Sequence, residues 1–189
     1  MRLYHLGYQE IREPDIHYGR KNADFGQGFY LTSDQEFAGR WAKGRNDQLP
    51  VLNTYELDLT DLTVRHFTRD ADWFHYIAAN RRGAVDSIGA DVIIGPIAND
   101  TIYDTLGIFT SGFLKPEEAL KLLLIGPEYE QIAIKSQRAA DQLKWISARM
   151  IDSNENIQYQ EILTAEQETY LRAIGEAMED REEKQNGPV

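Results

Sequence analysis

Residues 20–33 read RKNADFGQGFYLTS, and the role of Gly26-Gln27-Gly28 in this stretch decides how the chain is arranged around it. A dinucleotide-binding fingerprint needs a third glycine, a strand before it and a helix N-terminus aimed at the pyrophosphate. Here the glycines precede the strand-like GFYLT and no Lys-Ser/Thr pair of a P-loop follows, so neither nucleotide fingerprint fits. Two readings remain. Either the glycines form a tight turn that delivers Phe29 and Tyr30 as core aromatics, or they open a pocket in which Tyr30 works. Immediately downstream, Ser33-Asp34-Gln35-Glu36 matches a capping box with Ser33 as the cap, predicting a helix with Phe37 and Trp41 on one face.

Working outward, RLYHLGY (2–8) and VLNTYELDL (51–59) alternate in polarity as half-buried strands do. ADVIIGPIAN (90–99) is a short apolar run suited to a buried central strand, and EQIAIKS (130–136) reads as the last strand. Helices are predicted over DADWFHYIAANRRG (70–83), closed by Gly83, and over KPEEALKLLLIG (115–126), with Pro116 early and Gly126 past the end. NDTIYDTLGIFTSG (99–112), capped by Asn99 or Asp100, and QRAADQLKWI (137–146) read as two more. This mixed order of strands and helices predicts an α+β fold on a mixed or antiparallel sheet with peripheral helices, not a doubly wound parallel one. Past residue 150, DSNENIQYQ (152–160) reads as a loop. Thr164-x-x-Gln167 then opens an amphipathic helix with Tyr170, Leu171, Ile174 and Met178 on one stripe. The expected organisation is a domain over 1–148 and an acidic extension over 149–189.

The 189 residues, 42% of them hydrophobic, suffice for one sizeable core. Without cysteine there is no disulfide framework, thiolate nucleophile or thiolate metal site, and His5, His17, His66 and His75 lack metal-ligand spacing, so no metal is expected. Net charge is −11, and residues 149–189 hold ten acids against four bases, so more than half of the excess lies there. An acidic surface argues against tight non-specific nucleic-acid binding while leaving room for a locally basic pocket. No run approaches the ~20 apolar residues that span a bilayer, and the N-terminus lacks a signal-peptide run, so a cytoplasmic protein with no membrane partner is expected.

Three separated pieces together carry a resemblance: LYH-x-G at the start, DFGQGFYLTSDQEFAGRWA (24–42), and YEQIAIKSQRAADQLKW (129–145). Their order resembles the ADP-ribosyltransferase superfamily, in the branch whose His, Tyr and Glu lie on a first strand, an FG-x-G-[IF]-Y strand and a late strand. More closely, residues 3 to about 146, including NRRG and DVIIGPIANDTIYDTL, look like a bacterial family assigned to that superfamily, the domain of unknown function 3990 family. The resemblance implies a split sheet, NAD as co-substrate, and ADP-ribose transfer to an unknown protein, nucleic-acid or small-molecule acceptor. Relatives of that kind act as toxins or phage-defence effectors, which implies a partner or antitoxin that could dock on the C-terminal helix.

By that resemblance the working set is His5, Tyr30 and Gln131, with Gln131 where the branch has Glu. Tyr30 would clamp the cationic nicotinamide ring by stacking and cation–π attraction of about 0.5–2 kcal/mol. His5 would bond the adenosine-side ribose and Gly7 would offer backbone groups to the nicotinamide amide. Arg20 and Lys21 would meet the pyrophosphate, Gly28 would let the backbone approach the ligand closely, and Asn22 and Phe29 complete the NAD-binding set. Gln131 bonds a ribose hydroxyl but supplies no charge to the oxocarbenium-like ribose, which favours mono-transfer, slow NAD hydrolysis or binding alone. Glu130 would serve instead if a bulge turned it inward. Asn80 and Arg81 read either as a phosphate or acceptor contact or as a solvated helix end. Taken singly, His5 is an ordinary core or edge histidine, Asp100 a cap, and Trp41 and Trp73 core residues. A catalytically silent NAD-binding or interaction module is the alternative from another class, and a nucleic-acid-modifying transferase is the third.

Overall fold

The computed structural model describes residues 1–41, 48–99 and 115–185. In chain order its elements are β1 (Arg2–Gly7), β2 (Phe29–Leu31), α1 (Gln35–Arg40), β3 (Val51–Leu57), β4 (Val64–His66) and α2 (Ala71–Arg81). They continue with β5 (Val92–Pro96), α3 (Pro116–Leu123), β6 (Glu130–Ile134), α4 (Gln137–Asp141), β7 (Leu143–Met150) and α5 (Ser153–Gln185). The fold is α+β with two open sheets, one antiparallel in the order β1-β3-β7 and one mixed in the order β2-β6-β5-β4. Among the described residues only β4 and β5 run parallel. Among the same described residues an isolated bridge joins the sheets, Tyr4 with Thr32, through Tyr4 N to Thr32 O at 2.8 Å and Thr32 N to Tyr4 O at 3.0 Å.

Strand alternation divides the side chains of the mixed sheet between two layers. Phe29, Leu31, Ile132, Ile134, Val92 and Ile94 join Leu3, Tyr55 and Leu57 of the antiparallel sheet in one buried cluster. The alternate residues, Tyr30, Ala133 and Ile93, pack with Phe25 and with Trp73, Phe74 and Ile77 of α2 in a second. Thus the mixed sheet lies between the antiparallel sheet and α2, and β5 is buried at every residue as its apolar run predicts. A third cluster gathers Phe37, Ile97, Leu122, Tyr170 and Ile174 from α1, the residue after β5, α3 and α5.

Four sequence expectations change. QRAADQLKWI is not one helix: α4 ends at Asp141, and Leu143–Met150 pairs antiparallel along the whole of β3 with a register shift at Thr54/Tyr55. The second edge of β3 takes this segment, so sheet pairing overrides its local helix propensity. EQIAIKS is therefore not the last strand, and the three-residue β4 is an addition. Asp34, not Ser33, caps α1, accepting from Phe37 N at 3.0 Å. The C-terminal helix begins at Ser153, where Asp152 accepts from Asn154 N and Glu155 N at 2.9 Å each; Thr164 lies mid-helix and donates to Gln160 O at 2.8 Å. The predicted helix over 99–112 falls, beyond Asn99, outside the described residues.

Buried Asp91 ties the start of β5 to the far ends of neighbouring segments. It accepts from Arg138, from Ser136 Oγ at 2.6 Å, and from Thr63 Oγ1 and N at 2.7 and 2.8 Å. Arg138 first, then the hydroxyl and amide donors, hold its carboxyl far below the usual carboxylate range. A pKa depressed by folding contributes stability that is fully present above the unfolded value, near pH 4, and is lost as pH falls through the folded value. Asp91→Asn is expected to cost about 2–3 kcal/mol at neutral pH. Urea titrations between pH 7 and pH 2 check this, since the variant should also lose less stability on acidification than the parent.

Candidate functional site

The glycine-punctuated stretch turns back on itself because Gly26 has φ of +73°, a conformation L side chains rarely adopt. The turn is fastened by Tyr30, whose hydroxyl donates to Gly26 O at 2.6 Å and accepts from Phe25 N at 3.0 Å. Burial, reinforced by the nearby Asp24 charge, raises the Tyr30 pKa far above that of a free phenol, so the group stays protonated and acts as a donor, not a base. Its ring remains half-buried. Gly28 is fixed by the sheet: a methyl there would lie 2.6 Å from Ile134 O, so β6 fills the space that a ligand was expected to use. Phe29 likewise points into the core, edge-on to Tyr55 with ring centroids 5.7 Å apart.

Antiparallel pairing sets Tyr30 opposite Ala133, two residues from Gln131, so Tyr30 and Gln131 share the α2-facing side of the sheet. His5 arrives from the other side. Its ring packs on Phe29 at a centroid distance of 4.4 Å, and Nδ1 lies 2.7 Å from Tyr30 O. Desolvation lowers the His5 pKa, partly opposed by that bond, so the ring is neutral near pH 7. Because a carbonyl can only accept, Nδ1 carries the proton and Nε2 keeps a lone pair. A Cβ on Gly7 would sit 3.5 Å from Nε2, so this lone pair lies beside Gly7. The structure therefore links His5 to Tyr30 through the backbone and does not bring all three side chains onto one face.

Gln131 is 4% exposed and its Nε2 donates to Asp24 Oδ2 at 3.3 Å. Asp24, absent from the sequence-derived set, is the hub of the region. Its Oδ1 receives Arg81 Nε at 2.9 Å and Nη2 at 2.7 Å, its Oδ2 also accepts from Ala98 N at 3.2 Å, and its backbone O accepts from Asn80 Nδ2 at 3.2 Å. Asn80 and Arg81 are thus built into the fold at the end of α2 and do not form a solvated helix end. Glu130 is exposed on the opposite side of β6, near Ser33 Oγ at 3.4 Å. Pairing of β5 with β6 runs without a shift through Gly95–Gln131 and Pro96–Glu130, so the bulge that would turn Glu130 inward is not formed.

A cavity of about 640 Å³ opens at the other end of β6. Lys21, Asn22 and Asn80 from the sequence-derived set line it, together with Gln27, Asp86 and Lys135. Lys135 Nζ is 3.3 Å from Asp86 Oδ2 and donates to Phe25 O; burial lowers its pKa against the pull of Asp86. Arg20 is exposed on the loop above. Sequence reasoning missed Asp24 and Lys135, although an acid directly before FGQGFY and a lysine directly after the IAI run were visible signals. Among the described residues no group of three His, Asp or Glu side chains gathers as a metal site, and no helix is long and apolar enough to cross a membrane.

A family model described as "Protein of unknown function (DUF3990)" matches residues 1–145. The chain belongs to this family. The DUF3990 match takes in β1 through α4 and the candidate site with them, and stops short of most of β7 and all of α5. No curated protein and no solved structure matches the chain.

Proposed function

We propose that this DUF3990 protein is an NAD-dependent mono-ADP-ribosyltransferase. The observation that carries the reading is the seam between the sheets. Among the described residues its two strands, β1 and β2, form no ladder and meet at the Tyr4–Thr32 bridge and at the contacts of His5 with Phe29 and Tyr30 O, so that His5, Tyr30 and Gln131 all lie beside a split of the kind the ADP-ribosyltransferase resemblance implies. The half-buried Tyr30 ring offers the cationic nicotinamide a face, and His5 Nε2 offers a ribose hydroxyl an acceptor. From Gln131 to Lys135 the strand rises by roughly 13 Å, so a dinucleotide held at the seam can extend its phosphates toward Lys21 and Asn22 in the cavity.

In the proposed reaction the bond between nicotinamide nitrogen and ribose C1′ breaks, its electron pair neutralising the pyridinium. The acceptor's nucleophile bonds to C1′ and its proton passes to solvent. This chain's part is to orient the leaving ring and to place the Gln131 acceptor near the developing positive charge. Incubation of the purified chain with labelled NAD and a cell lysate is expected to label macromolecules. Absence of label together with absence of nicotinamide release would overturn the assignment.

A silent NAD-binding module is the second reading. It is favoured by the neutral amide of Gln131 and by the Arg81 ion pair that balances Asp24. Calorimetric binding of NAD without nicotinamide release would support that alternative.

A further inference from the structure

We infer that Asp24 is the positioning residue for Gln131, and that the two act as a unit which turns the amide oxygen toward the ribose. The inference rests on the transferase reading. It goes beyond it by assigning a role to a residue outside the His5, Tyr30 and Gln131 set.

The amide of a buried glutamine has two ends of opposite polarity, and only one of them can stabilise positive charge on a ribose. An ionised carboxylate has no proton to give, so whatever faces it must donate. Asp24 is 5% exposed and its Oδ1 receives two nitrogens of Arg81, which holds the carboxylate in place. Its Oδ2 faces Ala98 N and Gln131 Nε2. The amide nitrogen of Gln131 is thereby committed to Asp24 and the oxygen is turned away from it. The direction is set by chemistry and does not depend on telling oxygen from nitrogen by shape.

The same contact accounts for the amide at this position. A glutamate at 131 would bring a second carboxylate to the place where Nε2 now lies 3.3 Å from Asp24 Oδ2, and like charges at that distance disfavour double ionisation. With Asp24 present, glutamine is the side chain that can both hold the hub and present an acceptor. Arg81, Ala98 and Gln131 come from α2, from the segment after β5 and from β6, and Asp24 comes from the loop before β2. The orientation is therefore fixed by four separate segments.

Asp24→Asn tests this. If the amide oxygen of the new residue stays on Arg81, its nitrogen faces Gln131, and the Gln131 amide must reverse. Nicotinamide release is expected to fall about 100-fold in kcat while KM for NAD stays within about threefold. Asp24→Asn combined with Gln131→Glu restores a donor-acceptor pair, and kcat is expected to return to within roughly tenfold of the parent. Gln131→Glu alone should be slower than that double variant.

An Asp24→Asn chain as active as the parent, or a double variant slower than Asp24→Asn, overturns the positioning role. A purely structural Asp24 predicts the second of these results. Hydrogen exchange at the Gln131 side-chain amide of the unmodified chain, followed by NMR, reads the contact without relying on any variant's folding. Slowed exchange supports the contact, and exchange at the rate of an exposed amide overturns it. Failure of the parent chain to release nicotinamide would instead remove the transferase reading, with the exchange measurement still deciding the orientation.

Discussion

Tyr30→Ala is expected to abolish transfer of label from NAD and to destabilise the chain by about 3 kcal/mol. The two effects have separate causes. The ring packs against the α2-side core and is the proposed nicotinamide face, while the hydroxyl closes the Phe25–Gly26 turn by donating to Gly26 O and accepting from Phe25 N. Tyr30→Phe separates them. It keeps the ring and leaves the buried turn one donor and one acceptor short, which should lower stability by about 1–2 kcal/mol and leave labelling near that of the parent. Label transfer by a folded Tyr30→Ala chain would show that the site lies elsewhere. Loss of transfer in folded Tyr30→Phe would move the role from the ring to the hydroxyl. Circular dichroism on each variant at the assay temperature makes the comparison one between folded proteins.

Tyr170→Ala combined with Ile174→Ala is expected to lower the melting temperature by about 10–20 °C, corresponding to about 5 kcal/mol. Both residues are less than 10% exposed and pack with Phe37, Ile97 and Leu122. The helix is also held by Arg40, whose guanidinium reaches Glu166 Oε1 and the Tyr129 hydroxyl at 2.7 Å each. Gly39 lets the helices approach, since a Cβ there would lie 2.4 Å from the Tyr159 ring. A calorimetric shift below about 5 °C would mean that α5 adds little to the core, as an appended helix would.

Much of the fold could be read in the sequence because its signals are local. The apolar run of β5, the alternation of β1 and β3, and Gly83 at φ +79° closing α2 each follow from residues within one element. The failures share a physical origin as well. Leu143–Met150 became a strand because β3 had an open edge, a long-range circumstance that no window of ten residues contains. Ser33 and Asp34 are both good caps, and choosing between them depends on where the bridge of Thr32 to β1 ends the preceding strand.

At the candidate site, Tyr30 and Gln131 were found from the motif and do share a face, whereas Gly28 and Phe29 serve the packing of β2 on its neighbours. Asp24 stands directly before FGQGFY and was visible as an acid there, but what it holds together was not, because its partners lie 57, 74 and 107 residues away.

The direct bonds between the two sheets are clustered at one place: those of Tyr4 with Thr32 and of His5 with Tyr30 O resist translation of one sheet along the other but, acting within a residue of each other along β1, constrain rotation only weakly. The angle between the sheets is then set by the thickness of the side-chain layer they enclose, chiefly Leu3 and Tyr55 against Phe29 and Leu31. That layer works as a wedge. Trimming it or thickening it by a methylene would tilt His5 relative to Tyr30 without altering either residue, so the aperture of the seam can be tuned from the core.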